Sequence, residues 1–412
     1  MKNQTSQVFT SGEIAQYRSE TTGCRFVNHL NNAGAALMPD IVSDTIREYI
    51  LLEAETGGYE AAALKQSAIT QFYEEAALLL NAAPSNIAFT SSATDSFARA
   101  LSSVTFKPGD VILTDRDDYI SNQIQFMACQ KRYGVRIEHI RNAGGGGVDL
   151  DDLRVKLYQF RPRLLAITHV PTNSGLIQPV EEIAAIFREY KAVHENDTWY
   201  ILDGCQSVGQ MKVDVQALEC DFLSVTNRKF LRGPRGTGFL FVSDRALNAG
   251  LEPLFIDMHG AEWIEPNEYR PKPGAIRFED WEFAYALVLG SLEAVKYCRT
   301  VGEDRIRKQV SFYSDYLRAQ LAGIDRIRVL DRGPALAALV TFHVTGSDAR
   351  YIVNELKQRK INSVPSFRNF ALLDYTDKGV DWAVRVSPHY YNTQEELDQF
   401  LSAIKEIIRQ GV

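Results

Sequence analysis

An acidic residue and a lysine each follow an apolar stretch of the sequence that is typical of a β-strand. Asp203 ends WYILD, and Lys229 follows FLSVT in the segment FLSVTNRKFLRGPRGTGFLFV. A lysine in this position can form a Schiff base with the aldehyde of pyridoxal phosphate and later move protons. A carboxylate can keep the pyridine nitrogen of that cofactor protonated, so that the ring accepts electrons from the substrate Cα. Spacing alone leaves a second interpretation open, in which Asp203 caps a turn and Lys229 is a solvated surface charge.

Both residues belong to a region, from about Pro84 to Val242, in which short β-rich runs alternate with helical segments. Apolar residues recur with a period of about 3.6 in SFARALSS and VEEIAAIFREYKAV, which predicts helices there. Fully apolar strands alternating with helices are typical of a mostly parallel sheet covered on both faces. Ligands of such folds bind at the carboxyl ends of the strands, where Asp203 and Lys229 lie. The predicted strands are NIAFT, DVILT, RIEHI, LLAITHV, WYILD, FLSVT and GFLFV.

The pattern changes after about Trp281. Two long amphipathic helices are predicted, over about 282–297 and 303–321, and the strands ALVTFHV and WAVRVS follow, each leading into a helical run. This order predicts a smaller α+β domain. The predicted organisation is therefore a large domain over 30–280 and a small C-terminal domain over 281–412, with residues 1–29 packing against the small domain.

The segments LDGCQSVGQ and SVTNRKFLRGPRGTGFL together resemble the cofactor signature of the class V aminotransferase family. This pyridoxal-phosphate group includes cysteine desulfurases, isopenicillin N epimerase and C–S lyases. The resemblance extends from NHLNNAGAALMP near the start to WAVRVSPHYYNTQEELD near the end. It implies the α/β fold of type I pyridoxal-phosphate transferases, with a large, mostly parallel, seven-stranded type of sheet and a small C-terminal α+β domain. It also implies pyridoxal 5'-phosphate as the cofactor and a homodimer.

The resemblance implies two groups of contacts to the cofactor phosphate. Ser92, Ala93 and Thr94 fall between a predicted strand and a helix, where unpaired backbone N–H groups and the helix dipole favour an anion. A plain helix N-cap would use the same residue types, so this stretch alone does not separate the two interpretations. Thr226 and Arg228 precede the lysine, and Arg228 stands where desulfurases usually carry His, adding a permanent charge suited to a dianion.

Further residues are implied around the ring of the cofactor. Tyr119, in DRDDYISN, resembles the position from which the family stacks an aromatic ring on the pyridine, and many relatives have His there. Asn173 and Gln206 resemble neighbours of the phenolic oxygen of the cofactor, although Thr172 aligns with this position as well as Asn173 does.

Substrate binding is implied for residues outside this cofactor set. Arg385, in WAVRVS, resembles the arginine that binds the substrate α-carboxylate through a two-pronged contact, and Asn32 is expected to help hold that carboxylate. His259, Arg277 and Trp281 lie in a region that contributes to the active site of the partner subunit in relatives. For these three residues a role in packing remains an equal alternative.

One departure from the family pattern bears on the reaction. Cysteine desulfurases hold their persulfide on a cysteine in a C-terminal loop, and this chain has no cysteine after Cys298. The leading hypothesis is C–S β-elimination from a cysteine-derived amino acid. An aminotransferase, or an amino-acid epimerase, acting through the same chemistry at Cα is the alternative. A relative that uses the fold only for binding would be a different class of protein, and the presence of Lys229, Asp203 and Arg385 together argues against it.

Composition excludes several other partners. The 412 residues include 45 Lys and Arg against 52 Asp and Glu, a net charge of −7, which argues against binding to nucleic acid or to an anionic membrane. No apolar run approaches the roughly 20 residues of a membrane span, and the polar start predicts no secretory signal. Five scattered cysteines fit neither a disulfide framework nor a zinc site. We therefore expect a cytoplasmic enzyme without a metal.

Overall fold

A computed structural model describes residues 7–194 and 198–410 of the chain. Its largest sheet has seven strands in the order β2-β8-β7-β6-β5-β3-β4, and β8 alone runs antiparallel to its neighbours. All seven correspond to strands predicted from the sequence. The strands are β2 (Ile87–Thr90), β3 (Val111–Thr114), β4 (Arg136–His139), β5 (Leu164–Thr168), β6 (Trp199–Asp203), β7 (Phe222–Thr226) and β8 (Gly238–Val242).

Alternation of side chains along these strands explains why nearly all of their residues are apolar. In β5, Leu165 and Ile167 belong to one buried cluster, whereas Leu164 and Ala166 belong to a second cluster. Successive side chains of a strand point to opposite faces, so the sheet is covered on both sides. Only the edge strand β4 is partly exposed along its whole length. The sheet is therefore a rigid base whose polar strand ends are left for binding.

The described residues form fourteen α-helices, most of which connect or cover strands of this sheet. The long pair α2 and α3 precedes the first strand of the large sheet and packs against α10. The helices are α1 (Ser11–Ser19), α2 (Asp40–Thr56), α3 (Gly58–Leu80), α4 (Ala93–Ser103), α5 (Ile120–Tyr133), α6 (Leu150–Phe160), α7 (Val180–Val193), α8 (Val215–Leu218), α9 (Asp244–Asn248), α10 (Tyr285–Val301), α11 (Glu303–Ala322), α12 (Ala349–Gln358), α13 (Leu372–Lys378) and α14 (Gln394–Gln410).

A second, antiparallel sheet lies in the C-terminal part of the chain, with the strand order β11-β12-β15-β14. Its apolar face packs with α11, α12 and α14 around a separate buried cluster. Two small pairings complete the strands, β1 with β13 and β9 with β10. The remaining strands are β1 (Asn28–His29), β9 (Ala261–Glu265), β10 (Glu268–Pro271), β11 (Ile327–Val329), β12 (Val340–Val344), β13 (Ile361–Asn362), β14 (Val364–Phe367) and β15 (Trp382–Val386).

The N-terminal segment contacts the C-terminal part of the chain at several points. Arg18 forms an ion pair with Glu396 at 2.9 Å and donates to the carbonyl of Tyr391, and β1 pairs with β13. Residues 1–6, which are part of the segment expected to pack there, lie outside the described residues. The helix α10 falls within the predicted small domain but packs on α2 and α3. The division at residue 281 therefore stays a prediction.

The α/β fold class predicted from the sequence is confirmed, down to the seven strands of the large sheet. No helix in the described part of the chain is long and apolar enough to cross a bilayer.

Candidate active site

The carboxyl ends of β5, β6 and β7 border a cavity with about 470 Å³ of empty space, part of it open to solvent. Most of the residues expected to bind the cofactor line it, although they come from five separate stretches of the chain. Thr168, Val170 and Cys205 line it as well. The predicted residues in its wall are Ser92, Ala93, Thr94, Tyr119, Thr172, Asp203, Gln206, Thr226, Arg228 and Lys229.

Lys229 lies in the turn that follows β7. The amide of Arg232 donates to the carbonyl of Lys229 at 2.9 Å, and that of Gly233 donates to the carbonyl of Asn227 at 2.7 Å, which closes the turn. The lysine is 8% exposed, and burial, reinforced by the charge of Arg228, lowers its pKa to about 8. An appreciable fraction of the side chain is therefore a neutral amine near neutral pH, the form that attacks a carbonyl.

Asp203 ends β6 and is 4% exposed. Its Oδ1 accepts from the backbone amide of Cys205 at 2.9 Å, and its Oδ2 accepts from the side chain of Asn122 at 3.1 Å. These contacts fix the orientation of the carboxylate at the wall of the cavity. A buried carboxylate held in this way is suited to pair with a cationic group such as a protonated pyridine nitrogen.

The start of α4 and the turn after β7 together form a cradle for an anion. Ser92 caps the helix and accepts from the amide of Asp95 at 3.1 Å, and Ala93 is its first residue. Gly238 lies directly against this loop, because a Cβ at Gly238 would come within 2.8 Å of the backbone of Ser92 and Ala93. Arg228 lines the same cavity and supplies a positive charge. The helix N-terminus and the guanidinium match the two requirements of a phosphate.

Arg385, on β15 of the second sheet, contacts Thr172 in the cavity wall. Its Nη1 donates to the hydroxyl of Thr172 at 2.6 Å and to the carbonyl of the same residue at 2.9 Å, and its Nη2 lies 3.4 Å from Oδ1 of Asn31. Burial lowers the pKa of Arg385 to about 10, so the side chain stays charged at neutral pH. Within the described residues, its buried Nε has no hydrogen-bond partner. The geometry leaves this donor available to a carboxylate.

Two further predicted residues, Asn32 and Asn173, do not line the cavity. The amide of Asn32 donates to the carbonyls of His29 and Ser387, and its Oδ1 accepts from Tyr391, so that the fold uses all of its polar atoms. Asn173 donates to Asp374 at 2.6 Å and ties the loop after β5 to α13. In each case the adjacent residue points the other way, and Asn31 and Thr172 are the ones near Arg385.

The sequence left open whether His259, Arg277 and Trp281 serve an active site or packing. His259 lies 3.3 Å from the buried carboxylate of Glu279, whereas Arg277 donates to the carbonyls of Lys272 and Leu251. Trp281 is 46% exposed. Within this chain, the first two therefore serve packing and the third faces outward.

The cysteines are poorly suited to nucleophilic chemistry. All five are unpaired, and burial raises the pKa of every one of them. The pKa of Cys205 lies well above its usual value because of its burial, to which the charge of Asp203 adds. The thiolate is the reactive form of cysteine, and a raised pKa disfavours it. The described residues contain no group of three or more His, Cys, Asp or Glu side chains that could hold a metal ion.

Residues 28–400 match the family model of Aminotransferase class-V, which is most of the chain. The chain therefore belongs to the class V aminotransferase family, as its sequence motifs predicted.

The chain is similar to a protein of Pyrococcus abyssi named probable cysteine desulfurase. The two are 29% identical over 394 residues, covering 93% of this chain and 94% of the relative. The solved structure of an apo cysteine desulfurase from Thermococcus onnurineus NA1 superposes with a TM-score of 0.86 at 24% identity, covering 96% of this chain and 98% of that one. A cystine C–S lyase solved with its reaction product, cysteine persulfide, gives a TM-score of 0.83 at 22% identity, covering 95% of this chain and all of that one. These structural matches support the fold.

Proposed function

We propose that the protein is a pyridoxal-phosphate-dependent lyase that cleaves the C–S bond of a cysteine-derived amino acid by β-elimination. The observation that carries the proposal is the convergence of Lys229, Asp203 and the anion cradle on one cavity, with Arg385 hydrogen-bonded to Thr172 in its wall. The names of the relatives, cysteine desulfurase and cystine C–S lyase, agree with a sulfur-containing amino acid as the substrate.

The residues of the cavity fit the proposed cofactor. Ser92, Ala93, Thr94, Thr226 and Arg228 would hold its phosphate, and Tyr119 and Gln206 would contact the ring. Within the described part of the chain, the buried Oε1 of Gln206 has no hydrogen-bond partner, as expected of an atom that binds a ligand. Asp203 would pair with the pyridine nitrogen, and Lys229 would form the covalent link. When bound, the cofactor withdraws electrons from the substrate Cα and so makes its proton acidic.

The remaining steps belong to side chains of this protein. Arg385 binds the α-carboxylate of the substrate through its unpaired Nε and the guanidinium edge, while Thr172 and Asn31 hold the guanidinium in place. Lys229, released from its covalent link when the amino group of the substrate takes its place, would then take the proton from Cα through Nζ. Loss of the thiolate from Cβ completes the elimination, and the thiolate leaves as a thiol after taking up a proton. The other product, 2-aminoacrylate, reacts with water to give pyruvate and ammonium.

A lyase is favoured over a persulfide-forming desulfurase because of where the cysteines lie. The whole chain after Cys298 lacks a thiol, and Cys205, the one cysteine in the cavity wall, has a raised pKa. Elimination needs no nucleophile, since the electrons that expel sulfur come from Cα.

A substrate screen tests the proposed reaction. L-Cysteine, L-cystine and cysteine S-conjugates would be incubated with the cofactor-loaded enzyme, and pyruvate and ammonia would be measured alongside keto acids and pyridoxamine phosphate. Stoichiometric pyruvate and ammonia are expected, together with sulfide from L-cysteine, cysteine persulfide from L-cystine or a thiol from an S-conjugate. Formation of pyridoxamine phosphate with a keto acid would instead show an aminotransferase, and inversion at Cα without release of products would show an epimerase.

Replacing Arg385 by alanine is expected to raise KM for every amino-acid substrate by about 30-fold or more, because a charge-assisted pair with a buried carboxylate contributes about 2–5 kcal/mol. Steady-state kinetics would measure KM, and visible absorption would show whether the cofactor stays bound. Arg328→Ala is the control, since Arg328 lies on β11 of the same sheet and is exposed. An unchanged KM in Arg385→Ala would move the carboxylate site elsewhere.

A variant in which all five cysteines are replaced by serine or alanine is expected to retain kcat within a few fold. Its folding would be checked by thermal denaturation, because three of the thiols are buried. Mass spectrometry of the unmodified enzyme during turnover should detect no protein-bound persulfide. Loss of activity in a folded, cofactor-loaded variant, traced to a single thiol, would restore the desulfurase interpretation.

We further propose that the protein is a homodimer in the cytoplasm. Several large apolar side chains between β8 and α10 are exposed, among them Phe255 at 84% and Trp263 at 79%. Exposed apolar side chains concentrated in one segment are typical of a protein interface, and the family resemblance favours a second copy as the partner. These residues, referred to below as the patch, are Leu254, Phe255, Met258, Trp263, Tyr269 and Trp281.

Light scattering is expected to give about twice the 46.3 kDa of the chain. The double substitution Phe255→Asp and Trp263→Asp should shift the protein toward the monomer, because it places two charges within the patch. Phe26→Asp, at another exposed apolar residue, serves as the control. A parent protein that is monomeric and fully active would refute the dimer.

A further inference from the structure

Asn122, a residue that the sequence analysis did not assign to the site, links Asp203 to a second buried carboxylate. It lies in the first turn of α5 and is 2% exposed. Its side-chain amide donates to Oδ1 of Asp118 at 2.9 Å and to Oδ2 of Asp203 at 3.1 Å. A primary amide has two N–H groups, so Asn122 can serve both carboxylates at once.

Asp118 is surrounded by hydrogen-bond donors. Its Oδ1 accepts from the hydroxyl of Thr168 at 2.6 Å, from the backbone amide of Tyr119 at 2.7 Å and from Asn122. Its Oδ2 accepts from Gln123 at 3.1 Å and from the hydroxyl of Thr114 at 3.2 Å. Five donors around one carboxyl group favour its ionised form. Burial raises the pKa of Asp118 to about 6, which still leaves a carboxylate at neutral pH.

Other titratable groups face the same network. Burial, together with the charges of Asp118 and Asp117, raises the pKa of Asp115 well above its usual range, and burial raises that of Asp117 to about 7. On the cavity side, Asp203 faces Cys205 and Lys229. Unlike Asp115 and Asp117, Asp118 therefore shares a donor with Asp203 and is mostly charged at neutral pH.

We infer that Asp118 and Asn122 are positioning residues that keep the pyridine nitrogen of the cofactor protonated through Asp203. Asn122 fixes the rotamer of Asp203, and the negative charge of Asp118 lies behind that carboxylate. Both effects favour a positive charge on the far side of Asp203, where the ring nitrogen would bind. This inference rests on the proposed pairing of Asp203 with the cofactor.

The test measures the protonation of the ring nitrogen directly rather than activity. Apoprotein would be reconstituted with ¹⁵N-labelled pyridoxal phosphate, and the ¹⁵N chemical shift of the bound cofactor would be followed from pH 6 to 10. In the parent protein, the nitrogen is expected to stay protonated over most of this range. In Asp118→Asn, its loss of the proton should move to lower pH by about one unit or more, because a nearby negative charge has been removed.

Asp118→Asn is suited to this test because it changes charge without changing shape. The new amide keeps Oδ1 for Thr168, Tyr119 and Asn122, and its N–H groups can donate to the hydroxyl of Thr114 and to a flipped Gln123. Asn122→Ala should shift the titration in the same direction, because Asp203 loses the donor that fixes its rotamer. Asn122→Ala leaves the carboxylates of Asp118 and Asp203 without their shared donor, and their repulsion could impair folding. The double variant Asp118→Asn with Asn122→Ala removes that repulsion and serves if Asn122→Ala folds poorly. Gln130→Ala, at an exposed position about two turns further along α5, should leave the titration close to that of the parent.

The outcomes separate this inference from the proposed function. If Asp203→Asn loses the nitrogen proton but Asp118→Asn and the double variant titrate like the parent, the positioning role is refuted and the assignment of Asp203 stands. If the nitrogen stays protonated in Asp203→Asn, the assignment of Asp203 fails, and the role inferred for Asp118 and Asn122 fails with it. Loss of the proton at lower pH in Asp203→Asn, Asp118→Asn and Asn122→Ala supports both.

Discussion

Lys229→Ala is expected to abolish the covalent attachment of the cofactor and to lower kcat by about 10³-fold or more, because the same Nζ both links the cofactor and moves the proton of Cα. The visible absorption band of the linked cofactor should disappear, while phosphate contacts at Ser92–Thr94 and Arg228 still allow noncovalent binding. Borohydride reduction of the parent protein followed by peptide mapping should label Lys229.

The low pKa of Lys229 adds a pH dependence to this prediction. Burial lowers that pKa to about 8, so the fraction of neutral amine rises steeply between about pH 7 and 9 rather than near pH 10. The rate at which apoprotein captures pyridoxal phosphate should therefore rise with pH and level off above about pH 9. Lys212→Ala, at an exposed lysine, is the control. Labelling of Lys212 or Lys272 in place of Lys229 would refute the assignment.

The strands of the large sheet could be predicted because each is buried on both faces. Runs such as LLAIT and FLSVT are apolar at nearly every position, and turn residues mark their ends. Placing Asp203 and Lys229 at one edge then followed from a general property of parallel sheets. Strand order and the family motifs were enough to predict that Ser92 and Tyr119 lie near these two residues.

Choices between adjacent residues could not be made in the same way. Thr172 and Asn173 lie in one loop, and Asn31 and Asn32 lie in one turn, so each pair offers two polar side chains that point in different directions. Which of the two faces the cavity depends on distant partners, namely Asp374 for Asn173 and Tyr391 for Asn32. Such contacts join residues that are about 200 or more apart in the sequence and leave no local pattern.

The residues behind Asp203 escaped prediction for a related reason. DRDDYISN contains three aspartates and an asparagine close together, a composition that usually marks a solvated loop. In the structure Asp115, Asp117 and Asp118 are all buried, and their donors come from β5, α5 and the loop after β4. The clue in the sequence was the position of these acids, directly after the apolar strand VILT and therefore at the edge of the sheet where Asp203 lies.

Asp203→Ala is expected to leave the cofactor attached to Lys229 while slowing removal of the Cα proton by about 10²- to 10³-fold, the size of effect seen when one stabilising electrostatic partner is lost from an active site. In the parent protein, the carboxylate stabilises a positive charge on the ring nitrogen. Without that charge, the ring accepts the electrons of the Cα–H bond less readily. Proton removal can be measured apart from elimination, by following deuterium incorporation at Cα in D₂O with an amino acid that lacks a leaving group at Cβ.

Asp203→Asn separates the charge of the carboxylate from its hydrogen bonds. The amide oxygen of this variant can still accept from the amide of Cys205, so the turn after β6 is preserved. The rate of deuterium exchange at Cα should nevertheless fall nearly as far in Asp203→Asn as in Asp203→Ala, because both variants lack the negative charge. A variant that exchanges deuterium at the parental rate would mean that another acid protonates the ring.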